Sequence, residues 1–200
     1  MKIVLVFLCS ILLLSGCSLR KIDSSAPANT SENSSGSSSF EKETTTKQQK
    51  QDDRVVQKFG SYSLPEDWYE YEELSNSEKV FYVKGEVDSK SPPSNISVEV
   101  GINKYATSEH ADFRQAILAQ YSAQIPSASG IVIEGSGTNT DNGDVLYIFT
   151  LTEDACVTTQ YYVVGEYKFF LVHATDFLDE DVMDVSEAAD LIAKSFEWPE

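Results

Sequence analysis

Basic residues are scarce in this 200-residue chain: 15 Lys and Arg stand against 32 Asp and Glu, a formal charge of −17. Phosphate binding needs clustered cations, so a nucleic-acid-binding protein is excluded. Histidine is rarer still. His110 and His173 are the only two, with no His-x-x-x-His or Cys pair to complete a transition-metal site. No Gly-x-Ser-x-Gly elbow and no phosphate-binding loop occur, and Gly135-Ser136-Gly137 lacks the third glycine and the following helix of a dinucleotide site. Carboxylates are so plentiful that any pair chosen as acid and base would be arbitrary. No residue is therefore nominated as catalytic, the chain is read as a non-enzyme, and no cofactor is expected. Aromatic residues are not scarce: ten Tyr, ten Phe and two Trp exclude a wholly disordered chain. The length allows one ordinary domain plus appendages.

What is present first is an address. Lys2 supplies one positive charge, Ile3 to Leu14 is almost unbroken apolar sequence, and Leu14-Ser15-Gly16-Cys17 closes it with small residues before a cysteine. The run is too short to span about 30 Å of hydrocarbon as a helix. Leu-Ser-Gly-Cys resembles the bacterial lipobox. That resemblance implies that residues 1–16 are a signal peptide, that the thiol of Cys17 receives a diacylglycerol, and that the chain is cut before it. The expected location is the extracytoplasmic face of a bacterial membrane, with the bilayer as first partner through acylated Cys17. Cys9 would leave with the signal and Cys17 would carry lipid. Only Cys156 would remain, read as a small core residue without an intramolecular disulfide partner.

From residue 17 to 57 the composition is that of a tether. Residues 24–39 read SSAPANTSENSSGSSS, and between Ile22 and Val55 hardly any apolar side chain occurs except Phe40. Such a segment cannot bury enough surface to offset its chain entropy. Random-coil scaling gives it a reach of roughly 35 to 40 Å. A short helix over 48–58 is the only regular structure it suggests. Residues 18–58 carry seven Lys/Arg and six Asp/Glu, whereas residues 59–200 carry seven and twenty-six, a net of −19. All the acidity belongs to the domain at 58–200, and so acidic a domain is a poor fit to an anionic lipid surface.

Within that domain the periodicities alternate. Strands are expected at 60–64, 68–73, 79–84 and around Ile96, Val98, Val100 and Ile102, the last with one wet face. Thr107 or Ser108 can cap a helix over 108–124 whose stripe is Phe113, Ile117 and Tyr121. Strands follow at 130–136, 144–152, 155–164 and 167–175, with Asp141-Asn142-Gly143-Asp144 as a tight hairpin turn. Val145, Tyr147 and Phe149 face one way and Leu146 and Ile148 the other, so this part of the sheet must be covered on both sides. A second helix over 179–196 brings Val182, Val185, Ala189, Ile192 and Phe196 to one face. The expected class is α+β, a mainly antiparallel sheet flanked by helices.

Tyr62-Ser63-Leu64-Pro65-Glu66-Asp67-Trp68, the helix after the fourth strand, the meander, and the closing Ala189-Asp190-Leu191-Ile192-Ala193-Lys194-Ser195-Phe196-Glu197-Trp198 are similar to the PsbP-like superfamily. The resemblance covers about residues 58–199 and implies an α/β/α sandwich without known catalytic activity. Its motifs are packing features, and they transfer no ligand or partner.

Two stretches are candidate sites. Asp176, Asp179, Glu180 and Asp181 are oxygen donors in the densest acidic loop and weak candidates for calcium, although the pattern D-x-[DN]-x-[DN]-G is absent. Trp68, Tyr69, Glu70, Tyr71, Glu72 and Glu73 alternate rings with carboxylates. The rings are expected to pack under the last helix with Trp198; left exposed, they would form an acidic-aromatic patch suited to a cationic protein partner. The leading reading is a non-enzymatic binding or adaptor module of an envelope assembly. The alternative is a small-ligand or divalent-metal-binding lipoprotein.

Overall fold

Strands that are apolar on both sides dictate a three-layer arrangement. The computed structural model describes residues 54–85, 93–126, 129–177 and 185–200. Its strands are β1 (Arg54–Gln57), β2 (Gly60–Ser63), β3 (Trp68–Glu70), β4 (Lys79–Lys84), β5 (Asn95–Ile102), β6 (Val132–Asn139), β7 (Val145–Thr152), β8 (Cys156–Gly165) and β9 (Lys168–Phe177). Its helices are α1 (His110–Gln124), entered through a 3-10 turn at Thr107–Glu109, and α2 (Val185–Lys194). Seven strands form one antiparallel sheet in the order β3-β4-β5-β9-β8-β7-β6. β1 and β2 form a separate hairpin, and β1 uses residues that composition assigned to the end of the tether.

Alternate side chains of the central strands feed two cores. On one face Leu146, Tyr161, Val163, Phe170 and Val172 pack with Val185, Ala189, Ile192 and Phe196 of α2 and its extension, joined by Tyr62 and Trp68. On the other, Tyr147, Phe149, Tyr162, Val164, Phe169 and Leu171 pack against Phe113, Ile117 and Tyr121 of α1. The sheet is therefore flanked by helices, one to each face, as the two-sided greasiness of β7 and β9 requires. Phe113, Ile117 and Tyr121 lie four residues apart, which places them on one side of α1.

Three local readings need correcting. Neither Thr107 nor Ser108 caps α1 with its side chain; instead Thr107 donates its backbone N–H and its hydroxyl to Glu166 Oε2 at 2.9 and 2.8 Å. The carboxylate of the β8–β9 turn thus holds the start of the 3-10 turn that leads into α1, and those hydrogen bonds lower its pKa. The strand at Trp68 stops at Glu70, because the Tyr71 carbonyl turns to accept the N–H groups of Leu74 and Ser75, both at 3.2 Å. Asn76 Oδ1 then takes the N–H groups of Glu78 and Lys79, which starts β4. The polar side of β5 is not a wet face: Ser97 is 3 % exposed, flanked on that face by its cross-strand partners Phe81 of β4 and His173 of β9.

Cys156 is fully buried at the start of β8, as expected of a small core residue. It is nevertheless disulfide-bonded, so the expectation of a thiol without a disulfide partner is not met. That expectation supposed a processed chain, whereas the unprocessed sequence still contains the other two cysteines.

Candidate functional site: an acidic, aromatic groove at the sheet edge

The six residues from Trp68 to Glu73 do not share one fate. Trp68 is 4 % exposed and belongs to the α2-side core, against which Trp198 also packs, as expected. Tyr69 points the other way and is 58 % exposed, as strand alternation dictates. Glu70, Glu72 and Glu73 are exposed and Tyr71 is half-buried. Tyr71 donates its hydroxyl to Glu73 Oε2 at 2.8 Å, which fixes one carboxylate beside the ring. The expectation that all the rings pack inward therefore holds for Trp68 alone.

Sequence alone did not reveal what Tyr71 adjoins. With Leu74, Phe81, Val83, Pro93 and Asn95 it lines a shallow open groove of about 80 Å³. Tyr69 is register partner of Val83, so both lie on this side of the sheet, and Phe81 follows at period two. Leu74 is 56 % exposed at the mouth. Residues 66–78 contribute six carboxylates and no cation. Lys79 Nζ lies 5.1 Å from the centre of the Phe81 ring and 3.5 Å from Glu99 Oε2, and Lys84 Nζ is 2.7 Å from Asp67 Oδ2. The groove is thus apolar inside and negative at its rim. The only hint in the sequence was the spacing of Phe81 and Val83 on a strand whose other face, Val80 and Tyr82, was equally apolar.

Next to the groove, the same sheet face carries buried polar groups. Phe81 pairs with Ser97, Ser97 with His173 and His173 with Gln160 across four strands. Tyr121 and Tyr162 both donate to Gln160 Oε1, at 2.7 and 2.6 Å, which pins α1 to the sheet. Glu99 Oε1 is buried without a hydrogen-bond partner. Burial pushes the Lys79 ammonium below the usual lysine range, partly offset by Glu99.

Burial, with a smaller contribution from the Lys79 charge, holds His173 down at about 4. An unfolded histidine near 6.5 accepts a proton that the folded chain refuses, so this share of stability is complete above about pH 6.5 and lost as pH falls toward 4. The gap corresponds to ~3 kcal/mol. Denaturant midpoints at pH 7 and pH 4.5 should fall further apart for the wild-type chain than for His173→Gln; equal differences would show that His173 is not buried in the neutral form.

The other sequence candidates are not assembled into a site. Asp176 ends β9 and accepts a long hydrogen bond from Ser94 Oγ at 3.4 Å; Asp179, Glu180 and Asp181 lie outside the described residues. Among the described residues no group of three His, Cys, Asp or Glu is placed to hold a metal ion. His110 shares a 2.7 Å hydrogen bond with the Tyr147 hydroxyl. Asp141 and Asn142 bond to the carbonyls of Lys194 and Phe196, and Gly143 takes φ 88°, so this stretch is the hairpin turn that its Asn-Gly pair indicated. Among the described residues no helix is long and apolar enough to cross a membrane.

No protein-family model matches the chain, and neither does any curated protein. Solved structures do. A protein from Bacteroides thetaiotaomicron VPI-5482 is similar at 14 % identity and a TM-score of 0.39, over 71 % of this chain. This chain spans just under half of that structure, 46 % of its length. The cyanobacterial PsbP protein CyanoP from Synechocystis sp. PCC 6803 is similar at 14 % identity and a TM-score of 0.44, over 73 % of this chain and 91 % of that one. A point mutant of the protein Mog1 is similar at 12 % identity and a TM-score of 0.40, over 70 % of this chain and 86 % of that one. All three scores lie below one half, and the functional reading of this chain rests on its own residues.

Proposed function

We propose that the chain is a membrane-anchored extracytoplasmic lipoprotein of the PsbP-like kind, whose domain acts as a non-enzymatic binding or adaptor module of an envelope assembly. The observation that carries the binding role is the groove: an apolar depression at the end of the sheet, rimmed by carboxylates whose cationic neighbours are already paired. Exposed apolar surface ringed by charge is the usual composition of a recognition site. The anchor is read from Leu14-Ser15-Gly16-Cys17 and the distance from the membrane from the tether that follows.

A quantitative crosslink-and-capture with the full-length chain in mild detergent, against solubilised envelope from its own cells, tests this. One protein should be enriched near stoichiometry. Changing Glu72 and Glu73 together to Lys should remove it, since like charges brought together across an interface cost several kcal/mol. Capture unchanged by that charge reversal would move the binding role away from this face.

A further inference from the structure

The groove's chemistry specifies its occupant more closely than its position does. Its lining is five apolar or aromatic side chains and one amide, with almost no polar surface. A small polar ligand finds few groups inside to fix its orientation. At about 80 Å³ the cavity is well below the size of a small-molecule site and suits part of one side chain. Around it carboxylates outnumber cations among the described residues. Glu72 and Glu78 are exposed, and Glu73 is held at the wall by Tyr71, itself a lining residue, whereas Glu70 pairs with Tyr82 on the other face. Lys79 and Lys84 do not neutralise this rim, because Glu99 and Asp67 engage them. A second copy of this chain is disfavoured as occupant, since it would bring a domain of net −19 against the same rim.

We infer that the groove docks a cationic segment of a partner protein, seating one large apolar side chain between Leu74 and Phe81 while flanking Lys or Arg residues meet Glu72 and Glu73. The inference rests on the binding-module reading and deepens it. Burial of one side chain in the groove and long-range attraction at its rim are separable contributions, because only the second is screened by salt.

The probes are fluorescein-labelled nonapeptides added to the full-length chain in neutral detergent and followed by anisotropy. One is polylysine with a single central phenylalanine, the second has serine in that place, and the third has glutamates for lysines. The phenylalanine peptide should bind about tenfold more tightly than the serine peptide, the value of burying part of a large side chain, and the glutamate peptide should not bind. Leu74→Asn, at a position exposed enough to leave the fold intact, should shrink the tenfold preference and leave the serine peptide unaffected. Combined Glu72→Gln and Glu73→Gln should weaken both lysine peptides alike and flatten their salt dependence. Equal binding of the phenylalanine and serine peptides to the wild-type chain would overturn the anchor, and indifference to both sets of substitutions would overturn the location. Successful capture from envelope with no peptide discrimination sinks this inference alone, whereas discrimination without any captured partner sinks the assembly reading and keeps the groove.

Discussion

Phe196→Ala should cost about 3–5 kcal/mol of folding stability, toward the upper end of that range. Phe196 is fully buried just beyond α2, stacked on Phe170 with centroids 3.8 Å apart and edge-on to Trp198 at 4.8 Å. The space it fills is made by the absence of another side chain. A Cβ on Gly60 would lie 2.5 Å from the Phe196 ring and 2.5 Å from the Glu197 carbonyl, and Gly60 has φ 149°, which side chains disfavour. Three parts of the chain meet at this ring. Ser61 and Glu197 exchange backbone hydrogen bonds at 3.0 and 2.8 Å, Arg54 donates to the Ser195 carbonyl, and Ser63 N–H donates to Ser195 Oγ. None of these clamps can close over the cavity left by alanine without breaking another, so relaxation is limited. Domains of this size hold only about 5–15 kcal/mol in total, so the loss is a large fraction of stability. Urea unfolding should show a lower midpoint with an unchanged slope; a loss below about 1 kcal/mol would mean that the ring is not packed between Phe170 and Gly60.

The two-sided apolar strands were the most legible feature of the sequence. Val145 to Phe149 and Phe169 to Val172 each present large side chains to both faces, and a strand of that kind has one physical solution, cover above and below. The helix stripe of Phe113, Ile117 and Tyr121 was readable for the same reason, since burial of one face sets the period. Less legible was what depends on neighbours distant in sequence. Glu166 holds the 3-10 turn before α1 from 59 residues away, where only Thr107 and Ser108 were local candidates. Ser97 looked solvent-facing on alternation, and only its cross-strand partners Phe81 of β4 and His173 of β9 bury it. The candidate groove lay between these extremes. The acidic-aromatic stretch from Trp68 to Glu73 was visible, but its rings were expected to act together. A strand of three residues ending in a turn separated them, sending Trp68 to the core and Tyr71 to the groove wall. Leu74, Phe81 and Pro93 joined Tyr71 through the register of three strands, which no local pattern encodes. Asp179, Glu180 and Asp181 are the reverse case, prominent in composition and outside the described residues.

Cys17→Ser should abolish acylation and the lipid anchor it supplies, the largest functional effect expected of any single change. The reading requires a thiolate at this position, because sulfur and not a serine hydroxyl is the nucleophile that accepts the diacylglycerol. Each buried methylene contributes about 0.8 kcal/mol, so two acyl chains hold the domain durably while none leaves only the polar tether and an acidic domain. The domain offers no substitute: its net charge of −19 is repelled by anionic lipid, and the tether's net of +1 is too small to bind it. A variant that is not processed keeps residues 1–16, so fractionation alone is ambiguous. Incorporation of an alkyne-labelled palmitate together with the intact mass removes that ambiguity. The wild-type chain should carry label and lack residues 1–16, and the variant should carry none. A wild-type chain without label would end the lipoprotein proposal while leaving the groove's chemistry intact, since that rests on Tyr71, Leu74, Phe81 and Val83. A labelled wild type fixes the geometry of recognition: the groove then samples partners within roughly 35 to 40 Å of the membrane surface, where the effective concentration of a membrane-bound cationic partner is set by the tether rather than by diffusion from solution.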